Sequence, residues 1–365
     1  MEVEEQMETE EAGGVENNSM SSLSASASKQ LGIKNTIQTN FGDDYVFQIA
    51  SSQEISTLAV SLSTNTIKFY SPGTGQYLGE CKGHSGTINE ISFSVPSSPH
   101  VLSSCSSDGT IRLWDTRTFN QVSLLRPYSI REIFSFSFGG SSCNLLAAGC
   151  NAEVRFLVRF APDNPSKFIS ASVDGLMCVF NTDGHIDDDE QLESVMNIGT
   201  SIAKFGFFGE MNKRLCLWEW KEPRKECDFQ DARTVASNSW NLGHVDYFVD
   251  CYYSAVDDQM WVIGGTNAGT LGYFPVNQRG SGAIRSPEAI LEGGHMGIVR
   301  SVLPVSCTDV SLAQKQSIFG WTGGEDGRLC CWLSDNSFQV NRSWISNALV
   351  IKSEKLQKRH RHRPY

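Results

Sequence analysis

A chain of 365 residues with 40% hydrophobic residues, 32 glycines and only 11 prolines suits a globular protein with many tight turns and excludes a fibrous one. No stretch approaches the roughly 18 consecutive apolar residues of a membrane span. The acidic opening Met1-Glu2-Val3-Glu4-Glu5 lacks the basic-then-apolar pattern of a secretion signal, so a nuclear or cytoplasmic location is expected. The net charge of −11 is uneven: residues 1–16 carry seven glutamates and no base, whereas 352–365 hold six bases against Glu354. The body between them is acidic and repels phosphate backbones, so nucleic-acid binding is expected only weakly, through the basic tail.

In chain order, the acidic stretch and the Ser-rich segment after it cannot bury enough apolar surface to offset their ordering entropy. Residues 1–42 are therefore expected to be a disordered tail, with order beginning near Asp43-Asp44. The runs Tyr45–Ile49, Ser56–Ser63, Thr66–Ser71 and Tyr77–Lys82 then read as four short strands punctuated by turn residues. Thr87–Ser94, Val101–Cys105, Thr110–Asp115 and Gln121–Leu125 form the next round of four. No helical period intervenes, which leaves a sandwich, a barrel or a propeller.

Internal repetition decides among these. Ser106–Asp115 (SSDGTIRLWD) is echoed by Ser172–Asn181 (SVDGLMCVFN) and Gly324–Trp332 (GEDGRLCCW), with weaker copies near Ser63, Cys150 and Thr266. Gly follows Asp in the full copies because a two-residue hairpin turn needs positive φ. Gly83-His84, Gly243-His244 and Gly294-His295 stand ahead of three copies.

With these motifs the chain resembles the WD40 family over nearly all of Asp43–Ile351. The resemblance implies an all-β WD40-type propeller over 43–351, followed by a basic disordered tail over 352–365. It also implies a buried polar network in each complete blade, joining His84, Ser104, Asp108 and Trp114 in one blade and His295, Thr322, Asp326 and Trp332 in the last. Repeat traces number seven, with two blades abbreviated. Asn151 stands only 23 residues before Asp174, and Trp218 arrives about ten residues early after the Phe-rich Ile202–Phe208. The chain is therefore expected to be a shortened form of a complete seven-bladed protein. Within the family, Gly264–Leu271, Gly293–Val302 and Trp321–Trp332 resemble the C-terminal half of the WD repeat-containing protein 89 family.

No enzyme signature is present: no G-x-S-x-G, no H-E-x-x-H and no P-loop. No catalytic residue, cofactor or metal is expected. The eleven cysteines lie without a C-x-x-C pair and read as reduced intracellular thiols. The carboxylates of Asp187–Glu190 lack the mid-loop Gly of a calcium site and read as a solvated loop. Two segments suggest function. The tail bases Lys355, Lys358, Arg359, Arg361 and Arg363 suit a nuclear-targeting signal. The run Trp114-Asp115-Thr116-Arg117 resembles the box by which some WD40 proteins dock on a cullin-RING ligase adaptor, with Asp115 and Arg117 as contact residues. The function expected is a non-enzymatic scaffold for assembly of a multiprotein complex; the alternative is a substrate receptor of a cullin-RING ubiquitin ligase.

Overall fold

The computed structural model describes residues 28–333 apart from 40–43, 53–55, 94–97, 128–131, 141–143, 152–155, 184–190, 200, 203, 209–213, 216–217, 220–223, 226–231, 242, 255–258, 278–282 and 305–317. Its strands fall into seven sheets that follow one another along the chain as the blades of a WD40 β-propeller.

Blade 1 is β3 (Val46–Ser52), β4 (Thr57–Leu62), β5 (Thr66–Tyr70) and β6 (Tyr77–Lys82), and blade 2 is β7 (Ile88–Ser92), β8 (Val101–Ser106), β9 (Ile111–Asp115) and β10 (Asn120–Leu125). Both are antiparallel meanders, in the strand order expected from the two rounds of short β runs. The turn before the third strand takes the predicted form: φ is +73° at Gly109 and +69° at Gly327, and Asn65 takes +58° in blade 1. Glycine, and among other residues asparagine most readily, favours that region.

Blade 3 is reduced to two strands, β11 (Glu132–Gly139) and β12 (Leu145–Asn151). Blade 4 is complete, with β13 (Phe156–Ala161), β14 (Asn164–Ser172), β15 (Leu176–Asn181) and β16 (Leu192–Asn197). The short interval before Asp174 is thus the loss of the outer two strands of blade 3, and Phe156–Ala161 serves only as the first strand of the next blade. Blade 5 keeps four strands of two residues each: β17 (Phe207–Phe208), β18 (Arg214–Leu215), β19 (Trp218–Glu219) and β20 (Arg224–Lys225). The first-strand reading of Ile202–Phe208 holds only for its last two residues. Ile202 and Phe205 are buried instead against Met177, Val179 and Met196 of blade 4.

A short helix, α1 (Ala232–Asn238), precedes blade 6, and Trp240 just beyond it packs edge-on against Phe274 at 5.3 Å. Blade 6 runs β21 (Tyr247–Ser254), β22 (Gln259–Gly265), β23 (Leu271–Asn277) and β25 (Ala289–Leu291), with β24 (Ala283–Ile284) paired to the end of β23. Blade 7 is β26 (Val299–Pro304), β27 (Ile318–Gly324) and β28 (Arg328–Leu333). Among the described residues five blades are therefore full and two are reduced.

The fourth strand of blade 7 comes from the other end of the chain, and this corrects the expected boundary at residue 43. β2 (Ile33–Gln38) pairs antiparallel with β28, from Ile33 opposite Trp332 to Gln38 opposite Arg328. Just before it, β1 (Lys29–Leu31) adds in parallel to β25. The composition of the leading segment hid this strand, but its alternation is amphipathic: Asn35 is buried, and Ile37 packs on the cluster of Leu329 and Trp321. The core lies between blades rather than within them. Ala59, Ile67 and Phe69 of blade 1 meet Ile91, Leu102 and Trp114 of blade 2, and Ile263 and Leu271 of blade 6 meet Val302 and Trp332 of blade 7. Among the described residues no helix is long and apolar enough to cross a membrane.

Because β1 and β2 hold the outer edges of two neighbouring blades, removing residues 1–38 should abolish a cooperative thermal transition in circular dichroism. Removing residues 1–27 alone should leave the transition in place.

Candidate functional site

The His–Ser–Asp–Trp set of blade 2 assembles beneath the loop that joins β6 to β7. His84 Nδ1 lies 2.9 Å from Asp108 Oδ2, and its Nε2 lies 2.7 Å from Ser104 Oγ. Trp114 Nε1–H donates to the same Ser104 oxygen at 2.8 Å. Asp108 also accepts from the backbone N–H of Ser85 at 3.1 Å and from the Thr110 hydroxyl at 2.6 Å. Blade 7 repeats the geometry. His295 Nδ1 lies 3.0 Å from Asp326 Oδ1, its Nε2 lies 2.7 Å from Thr322 Oγ1, and Trp332 Nε1–H donates to Thr322 at 2.8 Å. Met296 N–H donates to Asp326 at 2.9 Å, as Ser85 does to Asp108. His84, His295, Ser104, Thr322, Trp114 and Trp332 are all buried, so each polar atom of the set is matched inside the blade.

The two histidines shift in opposite directions. Two residues before the Trp stands Arg112 in blade 2 and Cys330 in blade 7. Burial lowers the pKa of His84, and the Arg112 charge adds to this against the pull of Asp108. His84 is thus neutral, with Nδ1–H donating to Asp108 and the Ser104 hydroxyl donating to Nε2. Burial also opposes the charge on His295. There, however, Asp326 and the Cys330 sulfur carry it up to about 9, so its imidazolium donates from both nitrogens. Asp108 lies at about 2 because, although burial works against its charge, Thr110, His84 and Ser85 all donate to it.

The other blades lack the full set. His244 is exposed, Asn151 ends β12, and Phe180 stacks on Phe168 at 4.7 Å where a Trp would otherwise reach inward. Asp115 and Arg117 lie together at the outer hairpin end of blade 2. Arg117 folds back on Asp115 as a bidentate pair, Nε to Oδ1 at 3.0 Å and Nη2 to Oδ2 at 2.7 Å, and its side chain is 66% exposed. The pairing holds the Asp115 carboxyl down at about 2. Lys355, Lys358, Arg359, Arg361 and Arg363, together with the acidic loop Asp187–Glu190 and residues 1–27 of the tail expected over 1–42, lie outside the described residues.

The structure adds a feature that motif reading missed. The first strands of blades 1 to 4, 6 and 7, with Lys204 and Phe205 ahead of β17, line a central cavity of about 710 Å³, and among the described residues the inward edges of these strands have no ladder partner. A side chain of one blade caps a backbone N–H of the next. Ile49 N–H donates to Ser301 Oγ at 3.0 Å, Ile91 N–H to Gln48 Oε1 at 2.8 Å, Phe136 N–H to Glu90 Oε2 at 3.1 Å and Val158 N–H to Ser135 Oγ at 2.7 Å. Val299 N–H donates to Tyr247 Oη at 2.8 Å. Ser301, Gln48, Glu90 and Ser135 each follow a β-bulge, which aims the side chain along the ring rather than into its own sheet. Glu90 also pairs with Arg159 of blade 4 at 2.6 Å. Burial raises the Glu90 pKa while Arg159 and Phe136 N–H oppose the shift. The sequence signal was a polar residue near the middle of an otherwise apolar first strand, but its type changes from blade to blade. Among the described residues no group of three or more His, Cys, Asp or Glu could hold a metal.

Successive antiparallel blades, two of them with a buried His–Ser/Thr–Asp–Trp set, define a WD40-repeat protein, and the chain belongs to that family. The family model "WD domain, G-beta repeat" matches residues 75–115. The chain is 51% identical over 398 aligned positions to WD repeat-containing protein GTS1 of Arabidopsis thaliana, with all of both chains covered. Those positions exceed the 365 residues here by 33, so the Arabidopsis relative has residues at no fewer than 33 positions where this chain has none. The WD repeat-containing protein 89 homolog of Dictyostelium discoideum is 27% identical over 87% of this chain and 92% of its own. The Denticleless protein homolog of Mus musculus is 24% identical over 44% of this chain and 24% of its own.

Replacing Ser104 by Ala leaves His84 Nε2 and Trp114 Nε1–H buried without a partner, and should cost about 2 kcal/mol or more in chemical denaturation. The histidines can be separated by imidazole NMR. At pH 7 His84 should carry one ring proton and His295 two, and Arg112→Ala should raise the His84 midpoint. Since the His295 value is raised in the folded chain, its stabilising contribution is complete below its ordinary 6.5 and is lost as pH rises through about 9. A His295→Gln variant should lack that alkaline loss.

Proposed function

We propose that the protein is a non-enzymatic platform that gathers other proteins into a complex through the loop face of its propeller. WD40 propellers generally act as protein-interaction scaffolds. One observation carries the reading for this chain. The buried His295–Asp326 network fixes the backbone of Met296, yet the Met296 side chain is 70% exposed. A flexible apolar side chain held in solvent on a rigid frame suits recognition of a partner surface, where methionine adapts to irregular contacts. The site residues form hydrogen bonds within blades and are buried away from any substrate, which supports a binding role over a catalytic one.

A second reading rests on Arg117. Its exposed guanidinium stands at an outer hairpin end, where a ligase adaptor could replace solvent around the Asp115–Arg117 pair. That reading makes the protein a substrate receptor of a cullin-RING ubiquitin ligase. The basic tail from Lys355 to Arg363 would then direct either form of the complex to the nucleus.

Affinity purification of the tagged full chain from its native cells, with mass spectrometry of the co-purifying proteins, tests both. A defined set that is lost with Met296→Glu supports the scaffold reading. Loss of a ligase adaptor with Arg117→Ala, while other partners remain, supports the receptor. Unchanged partners in both variants would refute the two placements.

A further inference from the structure

The reduced third blade leaves a notch in the rim of the propeller. In blades 1 and 2 the hallmark turns Thr64, Asp108 and Asn151 lie 44 and 43 residues apart, but Asp174 follows Asn151 after 23. The deficit of about twenty residues is the length of a two-stranded hairpin, and the strands absent from blade 3 are its outer two. At about 4.8 Å between neighbouring strands, β12 lies about 10 Å inside the outer strands of blades 2 and 4.

Both walls of this recess are apolar. On blade 4 the face toward blade 5 is covered: Ile169, Ala171, Met177, Val179 and Met196 are buried. The opposite face, toward blade 3, has equally apolar residues without that cover. Phe168 and Phe180 are stacked but only part-buried, Cys178 pairs across the strands with Val195, and Val195 is 52% exposed. On blade 2, Leu113 and Leu125 lie on the strands facing the same gap, Leu113 part-buried and Leu125 exposed. Between the walls runs the outer edge of β12, Leu145–Asn151, which carries no charged residue and no proline. Among the described residues no strand pairs with that edge. Natural edge strands are normally blunted by lysine, proline or cover.

We infer that this notch binds a β-hairpin or extended strand of a partner protein, apolar on both faces, which adds to β12 and completes blade 3. The depth of the recess selects the occupant. A second globular copy cannot bring its own β12 into contact, because the outer strands of blades 2 and 4 project beyond the edge on both sides. A strand about 5 Å wide can enter, pair its backbone with β12 and place alternate side chains on Phe168–Phe180 and on Leu113–Leu125. The uncharged edge and the apolar side chains Phe168, Phe180, Val195, Leu113 and Leu125 beside it favour a segment without charge at its central positions, the wall carboxylate Asp115 being paired with Arg117 at the hairpin end. This site lies on the rim, apart from the loop face that presents Met296, so the two readings stand or fall separately.

The test pans a displayed library of two-stranded hairpins of about twenty residues against the purified full chain. The expected result is a set of binders with apolar residues on both faces. They should protect the Leu145–Asn151 amides from hydrogen exchange and bind at least tenfold more weakly to Val195→Glu and Leu125→Glu, both changes at exposed positions. Failure to select binders, or binders indifferent to both substitutions, would overturn the inference. Two other outcomes also overturn it. A dimer in sedimentation that dissociates with Val195→Glu assigns the notch to a second copy. Protection of the same amides in the free chain, lost when residues 334–365 are removed, assigns it to the chain's own C-terminal segment.

Discussion

The ring depends on a single repeated hydrogen bond. Blades 1 to 4 and 7 each turn toward the central cavity a first strand whose inner edge carries an N–H that, among the described residues, no sheet neighbour satisfies. A bulge in the preceding blade redirects one polar side chain, Ser301, Gln48, Glu90 or Ser135, to the next blade's amide. The bond fixes the angle between neighbours as well as satisfying a buried donor, because the accepting atom belongs to one blade and the donor to the other. Each such bond contributes only about 1 kcal/mol net, but leaving the buried amide without a partner would cost more than that. The interblade cores of Phe69 with Trp114, or Leu271 with Trp332, can pack only when the blades are already at that angle.

This constraint explains how the ring tolerates a blade with half its strands. Blade 3 retains β11 and β12, and β11 carries both ends of the relay: Phe136 N–H donates back to Glu90, and Ser135 receives Val158 N–H ahead. The Glu90–Arg159 pair spans blade 3 altogether, linking blades 2 and 4 directly. What blade 3 lacks is its periphery, which contributes apolar cover to the walls of blades 2 and 4 but no bond of the inner ring. Blade 5 is reduced differently, with four strands of two residues, and its neighbour is held instead by Ile202 and Phe205 packing under blade 4.

The repeating part of the fold was legible in the sequence for a physical reason. The turn glycines Gly109 and Gly327 must take positive φ, and the buried His–Asp pair needs a Ser or Thr and a Trp at set offsets, so these positions admit few residue types. The spacing of the same turns also exposed the shortened blade 3. The inner ring was not legible because its chemistry asks only for an acceptor of the right reach: Ser, Gln, Glu and Tyr all serve, at positions of different length and charge. The strand β2 was hidden for another reason. Its partner β28 lies almost three hundred residues away, and Ile33 and Ile37 within polar surroundings signal a strand only once the open edge of blade 7 is known.

The electrostatic difference between blades 2 and 7 shows how a shared motif is given separate properties. The hydrogen-bond geometry of His84 and His295 is nearly identical, yet burial outweighs the hydrogen bond to Asp108 at His84, whereas the hydrogen bonds of Asp326 and Cys330 outweigh burial at His295. Blade 7 is also the blade closed by the N-terminal strand, with Trp332 covered by Ile33 on its open edge. A charged imidazolium bound to Asp326 strengthens the anchor of Met296 at the point where the ring is sealed. The loop face at blade 7 is thus anchored where β2 meets β28, whereas among the described residues the outer edge of β12 in blade 3 is unpaired. Rigid presentation on the face and an unpaired sheet edge on the rim follow from the same arrangement: the inner bonds hold neighbouring blades in place across blade 3, whereas at blade 7 the outer strand β2 is needed to close the sheet.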